Sequence, residues 1–253
     1  MIVGVSMASD RFDSLQLTYC RASGERVGTS LGRVALAELV AAGPVRQFRW
    51  YKGRTFYSGW YWSSTTGAMV VYESRLELAR TLLADFDPGV RGIVAQPFLI
   101  RGQVGGRERS HVPDLLLSHA DGGVTVVDVK PAHRLSDPKV VEVFDWTAAA
   151  VGVRGWAFES WSGTDPVQLE NVRFLAGYRR RSVIDHRLRD AVVDLVGEQS
   201  TLGGVEREAE PVGPPQRVRP LLLHLLWAGV LATDLSLPLG TGSPVWRAQT
   251  GIG

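Results

Sequence analysis

The chain has 253 residues, of which 45% are hydrophobic and 21% charged, and its formal net charge is +2 at pH 7. These values are typical of a globular protein with one large or two modest domains, and they exclude a disordered or fibrous chain. The single cysteine excludes an internal disulfide, the five histidines argue against a structural zinc site, and the longest apolar run, residues 221–232, is too short to span a membrane.

The first part of the chain is predicted to mix helices with short strands. Residues 31–42 suit a short helix, and the aromatic segment 48–72, which glycines interrupt, suits short strands or a packed loop. The clearest helix is predicted at residues 73–86, where apolar residues recur with helical spacing. Pro88 and Gly89 follow directly and are expected to end it.

Strands dominate the middle of the chain. They are predicted at residues 90–94, 98–100, 113–118 and 124–129. Residues 102–109 are polar and rich in glycine, so they are predicted to form a loop. Between the last two strands, Asp121 and Gly122 are a strong signal for a hairpin turn, which makes these two strands antiparallel neighbours.

A helix at residues 139–151 and a strand at residues 155–161 complete the pattern. Arginines then become frequent, which places a domain boundary near residues 165–182. Helices are predicted at residues 186–197, 203–209 and 217–229, and short extended segments at residues 231–239 and 244–247. Three short helices followed by a hairpin are typical of a winged-helix module.

Pairing across the predicted hairpin brings charged residues together. A turn centred on Asp121 and Gly122 places Asp114 roughly opposite Asp128 and Val129, and opposing Cβ atoms in a sheet are about 5 Å apart. Side chains alternate along a strand, so Asp128 and Lys130 share one face. Two carboxylates and a lysine are therefore expected to meet at the end of an apolar hairpin.

This combination of charges favours a metal site. A carboxylate within a valine-rich strand is costly to bury unless Lys130 or a cation compensates it. Paired carboxylates that bind Mg²⁺, with a lysine as a point charge, suit phosphoryl chemistry. Glu77 or Glu73, from the preceding helix, would complete the site. These two lie at positions i and i+4 of one helix face, where like charges repel and a cation would relieve them.

The same residues resemble a known family. Pro113-Asp114 followed by Asp128-Val129-Lys130 forms the PD-(D/E)xK signature of restriction-endonuclease-like nucleases. With its surroundings, the chain resembles the TnsA-like family, which are endonuclease subunits of heteromeric transposases. The motifs that carry the resemblance are residues 73–78, 95–98, 111–114, 127–131, 171–180 and 225–227. The resemblance extends over residues 48–247, most of the chain.

The resemblance implies an α/β fold, with a restriction-endonuclease-like mixed sheet flanked by helices and followed by a small winged-helix-like C-terminal domain. It divides the chain into four parts. These are an N-terminal extension at residues 1–47, a PD-(D/E)xK endonuclease domain at 48–165, a basic connector at 166–182 and a winged-helix-like interaction domain at 183–253.

The resemblance also implies a set of catalytic residues. The family's helix glutamate falls on Glu77, its Pro-Asp aspartate on Asp114 and its lysine on Lys130. Asp128 stands where the best-known member has glutamine, and an acid at this position is normal for the wider superfamily. The implied cofactor is Mg²⁺, with Mn²⁺ as a substitute, held by Glu77, Asp114, Asp128 and the Val129 carbonyl. Lys130 would position the attacking water and stabilise the developing charge.

The activity that this implies is hydrolysis of phosphodiester bonds at the 5′ ends of a transposable element. The expected partners are double-stranded DNA at the element ends, a DDE-type transposase subunit and an AAA+ ATPase regulator, without a membrane. Residues 1–10 show no signal-peptide pattern, so the expected location is the bacterial cytoplasm, in association with the nucleoid. The chain has no P-loop motif, so it is not expected to hydrolyse ATP itself.

Two other functions stay open. One is a stand-alone restriction or repair nuclease of the same superfamily, and the other is a non-catalytic winged-helix adaptor that binds DNA or protein. Single residues also have alternative roles. Glu77 could pair only with Arg80, and Glu73 suits the acidic start of a helix. Gln96 could contact the site or DNA, or could be a buried amide that satisfies backbone groups. His111 could contact a phosphate group, or could be a loop histidine without a role.

Two clusters are also open to more than one interpretation. The aromatic residues 60–62 could stack on DNA bases but more often form a core. The arginines at 179–181 could contact phosphate groups, or could lie on a solvated face or a protein-binding surface.

Overall fold

The structure is a computed structural model, and it describes residues 15–46, 57–104, 107–181 and 184–248. The chain divides into two compact units. The first comprises Met1–Ala84 and Gly89–Gly163, and the second comprises Asp85–Pro88 and Thr164–Gly253. The described residues form a mixed α/β structure with seven α-helices and several antiparallel strand pairs.

The first unit contains ten strands among its described residues. They are β1 (Gln16–Cys20), β2 (Arg26–Ser30), β3 (Gly59–Trp62), β4 (Met69–Tyr72), β5 (Val90–Ala95), β6 (Leu99–Val104), β7 (Arg107–His111), β8 (Leu115–His119), β9 (Val124–Val129) and β10 (Ala157–Trp161). Three helices begin in this unit. They are α1 (Leu36–Val40), α2 (Arg75–Phe86) and α3 (Pro138–Gly152).

These strands form two four-stranded sheets and one hairpin. The first sheet has the antiparallel order β2-β1-β6-β7. The second has the order β10-β9-β8-β5, in which only the β9–β10 pair is parallel. Helix α3 connects β9 to β10, as a parallel pair requires. Strands β3 and β4 pair separately, within the aromatic segment whose residues 48–56 lie outside the described residues.

The hairpin turn between β8 and β9 lies where the sequence predicts it. Gly122 has a φ of +84°, which glycine adopts without strain. The amide of His119 donates to the carbonyl of Gly123, at 2.9 Å, and closes the turn. This turn fixes the register of the two strands, pairing Leu115 with Val127 and Ser118 with Val124.

The prediction of a loop at residues 102–109 is wrong over its described residues. Strand β6 continues to Val104, and β7 begins at Arg107. Strand β7 lies at the edge of its sheet and carries mostly exposed polar side chains. An edge strand of this kind has no apolar alternation, and polar side chains there protect the edge from pairing with other chains. The sequence therefore lacked the signal that usually identifies a strand.

The core of the first unit draws on both four-stranded sheets. Leu17 and Ile100 from the first sheet and Leu116 and Val126 from the second are completely buried in one hydrophobic cluster. Helix α3 covers this cluster with residues that include Trp146. Residues 15–46, which were predicted as part of an N-terminal extension, contribute β1 and α1 to the same cluster.

The second unit is mainly helical. Its helices are α4 (Pro166–Leu175), α5 (Arg189–Asp194), α6 (Leu202–Glu208) and α7 (Pro215–Trp227), and a short antiparallel pair joins β11 (Leu231–Ala232) to β12 (Trp246–Arg247). Helix α4 begins at a proline because Asp165 accepts hydrogen bonds from the amides of Val167 and Gln168. It lies within the predicted basic connector and buries Val172 and Leu175.

No helix in the described ranges is both long enough and apolar enough to cross a lipid bilayer.

Asn171 is predicted to stabilise the second unit. Its amide nitrogen donates to the carbonyls of Leu235, at 2.9 Å, and Leu237, at 2.7 Å, and its oxygen accepts from the amide of Leu239 at 3.0 Å. Asn171→Ala should lower the free energy of unfolding by about 2 kcal/mol in urea titrations, because the buried Asn171 side chain makes three hydrogen bonds to backbone groups that this change removes. Glu170→Ala, which removes an exposed ion pair with Arg173, is the control and should change little. Equal losses in the two variants would contradict this assignment.

Candidate active site

Asp114 lies directly before β8, next to the end of β9. The β8–β9 pairing ends with Leu115 opposite Val127, and the amide of Asp114 donates to the carbonyl of the same Val127 at 3.1 Å. The side chain of Asp114 also takes part, because its Oδ2 accepts a 2.7 Å hydrogen bond from the amide of Val129. Asp114 is therefore fixed by backbone on both sides, at the point where the hairpin leaves the core.

Asp128 is the most buried of the four predicted side chains of the site. It is 1% exposed, and both carboxylate oxygens lie within hydrogen-bond distance of His111 Nε2, at 2.9 Å for Oδ1 and 2.8 Å for Oδ2. A carboxylate accepts, so this nitrogen carries the hydrogen. His111 ends strand β7, so it is not the loop histidine without a role that the sequence left open, and its contact with Asp128 was not predicted.

Glu77 comes from the first turn of α2. Its Oε2 accepts from the amide of Glu73 at 2.8 Å, and its Oε1 accepts from the hydroxyl of Ser74 at 3.0 Å. The amide of Glu77 donates in turn to Ser74 Oγ at 3.0 Å. This is a variant of the capping box, in which a serine and a glutamate three residues later satisfy the free amides of a helix start. The sequence Ser-Arg-Leu-Glu at residues 74–77 was a signal for it.

Burial and, next, the negative charge of Asp114 together raise the pKa of Glu77 to about 7, against the lowering effect of its hydrogen bonds. Burial also raises the pKa of Asp114, and the charge of Asp128 adds to this rise. The hydrogen bond from Val129 and the charges of Lys130 and His111 act in the opposite direction on Asp114. The three acids are thus electrostatically linked, and Glu77 and Asp114 lack full compensation.

Lys130 follows β9 directly. Its amide donates to the carbonyl of Trp161 at 2.9 Å, which continues the parallel pairing with β10 by one residue. Its half-buried side chain lies close enough to Asp114 to lower the pKa of that carboxyl. Lys130 and Asp114 are therefore neighbours, as the alternation along the strand predicts.

Gln96 lies at the end of β5 beside the site. Its amide donates to the carbonyl of Asp114 at 2.9 Å, and its carbonyl accepts from the amide of Val45 at 3.0 Å. Its φ of +47° is unusual for a residue other than glycine and costs about 1 kcal/mol. The side chain is 2% exposed, and its Oε1 has no hydrogen-bond donor among the residues that the structure describes. The alternative of an amide that satisfies backbone groups is not supported for this oxygen.

The side chains of Arg80 and Glu73, which lie near the site, form ion pairs with residues other than Glu77. Arg80 binds Glu159 through two hydrogen bonds, from Nε at 3.0 Å and from a terminal nitrogen at 2.7 Å. Its guanidinium is therefore engaged by Glu159 rather than by Glu77. Glu73 pairs with Arg46 at 3.4 Å.

The aromatic residues 60–62 and the arginines 179–181 are the other candidates from the sequence, and the structure shows where some of them lie. Tyr61 is buried in the β3–β4 hairpin, as the core interpretation predicts, whereas Trp60 is 47% exposed. Arg179 donates to the carbonyl of Ala176, which closes the end of helix α4 and its following turn.

The carboxylates of the candidate site fit a divalent cation only in part. No group of three or more histidine, cysteine, aspartate or glutamate side chains is arranged to hold a metal within the described residues. Asp128 is already paired with His111. Glu77 and Asp114, in contrast, are two half-buried carboxylates, the charge of Asp114 disfavours ionisation of Glu77, and a cation is the partner that would favour it.

Comparisons with known proteins give no family. No family model matches the chain, and no curated protein matches it significantly. The resemblance to the TnsA-like family therefore rests on the motif residues themselves.

Glu77 is predicted to make the metal-free protein less stable as the pH rises. The folded state keeps a proton on Glu77 up to about pH 7, whereas the unfolded chain releases it near the ordinary value of 4.5. Between these values the folded state binds more protons, so the free energy of unfolding falls with increasing pH, by at most about 1.4 kcal/mol per pH unit. Urea titrations from pH 5 to pH 8 in EDTA would measure the slope.

Glu77→Gln is the matched variant for this measurement. It keeps an oxygen for the hydrogen bonds of the helix start but cannot titrate. Its stability should fall less steeply over the same pH range, and the remaining slope would report Asp114, whose pKa is also raised. Identical slopes for the two proteins would show that Glu77 is ionised throughout.

Proposed function

We propose that the protein is a metal-dependent DNA endonuclease, and that it acts as a subunit of a heteromeric transposase. One observation carries the nuclease part of the proposal. Asp128 lies on β9 of a buried hairpin and Asp114 directly before β8; the charges of Asp128 and Lys130 act on Asp114, and the charge of Asp114 acts on Glu77. This grouping supports the assignment of a PD-(D/E)xK motif.

The order of elements supports a restriction-endonuclease-like fold for the first unit. Helix α2 precedes β5, and the β8–β9 hairpin follows after β6 and β7, which belong to the other four-stranded sheet. Helix α3 then leads to β10, which pairs parallel to β9. Within the sheet β10-β9-β8-β5, this is the helix, strand, hairpin, helix and strand order of the motif-bearing region. In the second unit, α5, α6 and α7 followed by the β11–β12 pair support the winged-helix-like interpretation.

In the proposed reaction, a water oxygen bonds to the phosphorus of a DNA phosphodiester while the bond to the leaving sugar oxygen breaks. When bound, Mg²⁺ would lower the pKa of water and stabilise negative charge on the phosphate oxygens. Glu77 and Asp114 fit this ion, with Asp128 and the Val129 carbonyl as the further expected ligands. Lys130 would orient the water and add positive charge to the phosphate. The hairpin holds Asp114 and Lys130 rigidly, which favours this role.

The transposase part of the proposal rests on the resemblance. It makes the 5′ ends of an element the substrate, and it makes a DDE-type transposase and an AAA+ ATPase the partners. A cytoplasmic, nucleoid-associated location follows from the same proposal. The second unit is the candidate for partner or DNA contact, because its helical composition suits either.

DNA cleavage tests the proposal directly. Labelled element-end DNA would be incubated with Mg²⁺ or Mn²⁺, with and without the partner transposase. We expect nicking at the 5′ end that depends on the partner. Asp114→Ala and Lys130→Ala should each reduce the cleavage rate at least about 100-fold, the scale for loss of one preorganised electrostatic group. Lys139→Ala, at the exposed start of α3, is the matched lysine control and should cleave normally.

The other outcomes of this experiment identify the alternatives. Cleavage by the protein alone, at the same rate as with the partner, would indicate a stand-alone nuclease. Normal cleavage by the Asp114 or Lys130 variant would show that the motif is not the active site. Tight binding to the partner without cleavage by any variant would indicate a non-catalytic adaptor.

A further inference from the structure

We propose that His111 takes the place of a cation at Asp128, so that Asp128 acts as a positioning residue and a divalent cation is held by Glu77 and Asp114. This inference rests on the proposed nuclease function and changes the ligand set that the sequence motif implies. Of the three carboxylates, Asp128 would stay paired with the histidine, and Glu77 and Asp114 would hold the metal ion.

The contact between His111 and Asp128 is symmetric. Nε2 lies 2.9 Å from Oδ1 and 2.8 Å from Oδ2, so it sits close to the bisector of the carboxylate. A cation that binds one carboxylate through both oxygens occupies this same position. The imidazole and such a cation therefore exclude each other by volume.

Burial makes this exclusion persistent. The Asp128 side chain is 1% exposed and His111 is 15% exposed, so water has little access to replace either partner. A carboxylate buried to this degree needs a partner at all times. His111 satisfies this need without a metal, and any ion that displaced it would leave the imidazole without its acceptor.

The backbone holds His111 in place. His111 is the last residue of β7 and pairs with Ile100 of β6, next to the pair between Ser110 and Arg101. Asp128 belongs to β9, which is in the other four-stranded sheet of the first unit. The side-chain contact therefore bridges the two sheets. Movement of the imidazole away from Asp128 would have to occur against a paired strand, or by a change of rotamer in a half-buried site.

Glu77 and Asp114 present the opposite situation. Among the described residues, Glu77 accepts hydrogen bonds from a backbone amide and a hydroxyl, both neutral, and Asp114 accepts one from a backbone amide. Each carboxylate keeps lone pairs that these bonds do not use. A divalent cation gains more from this pair than from an aspartate that already has a histidine.

Mn²⁺ binding to the full-length chain tests this division without reference to cleavage. Free Mn²⁺ would be measured by electron paramagnetic resonance during titration of the wild type, Asp114→Asn and Asp128→Asn. We expect one Mn²⁺ per wild-type chain. Asp114→Asn should weaken its affinity at least tenfold, whereas Asp128→Asn, which leaves an oxygen to accept from His111, should change it less than about threefold. Equal weakening by the two variants would overturn the proposal.

Histidine variants provide a second, independent measurement. His111→Ala frees the carboxylate of Asp128 and should raise the stoichiometry from one to two Mn²⁺ per chain, while His111→Gln keeps a donor and should restore one. His119→Ala is the matched control, because His119 contacts Thr125 Oγ1 at 2.9 Å, at the opposite end of the same hairpin, and it should bind one Mn²⁺. A stoichiometry of one in a folded His111→Ala protein would overturn the proposal. If that variant does not fold, the comparison of Asp128→Asn with Asp114→Asn decides.

The experiment separates this inference from the proposed function. Wild type that binds Mn²⁺ and cleaves DNA, with Asp128→Asn as damaging to affinity as Asp114→Asn, would overturn the role of His111 and leave the nuclease intact. Wild type that neither binds Mn²⁺ nor cleaves DNA would overturn both.

Discussion

The first unit must compensate the negative charges of carboxylates that lie in or beside its β8–β9 hairpin. The turn at Gly122 sets the register of β8 and β9, and Asp114 and Asp128 lie near the end of this pairing, at the edge of an apolar core. Each acid has a different partner. Asp128 has a histidine from the other sheet, Asp114 has a backbone amide from β9, and Glu77 has the amide of Glu73 and the hydroxyl of Ser74. A hydrophobic residue at any of these positions would avoid the cost of burial, so the acids indicate a role other than stability.

The side chain of Glu77 has two roles, one in the start of a helix and one in the electrostatics of the site. As part of the capping box it helps to start α2, and as a buried acid beside Asp114 it holds its proton to about pH 7. The same hydrogen bonds that fix its position lower its pKa, and the surrounding burial and charge raise it by more. The helix start is therefore optimised for position rather than for stability. This is the compromise expected where a carboxylate must be held ready for a cation.

The sequence predicted much of this arrangement, and the errors have physical reasons. The apolar strands and the Asp121-Gly122 turn were enough to predict the antiparallel pairing of β8 with β9, because a short turn fixes the register of its hairpin. This pairing ends at Leu115 and Val127, before the predicted opposition of Asp114 and Asp128. Strand β7 could not be predicted, because an exposed polar edge strand has no hydrophobic period. The pairing of His111 with Asp128 was also beyond the sequence, since it joins two sheets whose packing no local pattern determines. The capping role of Glu77, in contrast, could have been found, since Ser74 stands three residues before it.

Gln96 also costs free energy at this site, through its backbone conformation and its buried amide oxygen. Its backbone joins Val45 to Asp114 through two hydrogen bonds, and the left-handed conformation that makes both bonds possible would be relaxed in glycine. The chain instead carries a large amide whose oxygen is buried without a donor among the described residues. Strain and an unsatisfied polar atom at one residue destabilise the fold twice, and such costs concentrate at functional sites. Their location next to Asp114 therefore agrees with the position of the site as the hairpin, the helix start and the histidine define it.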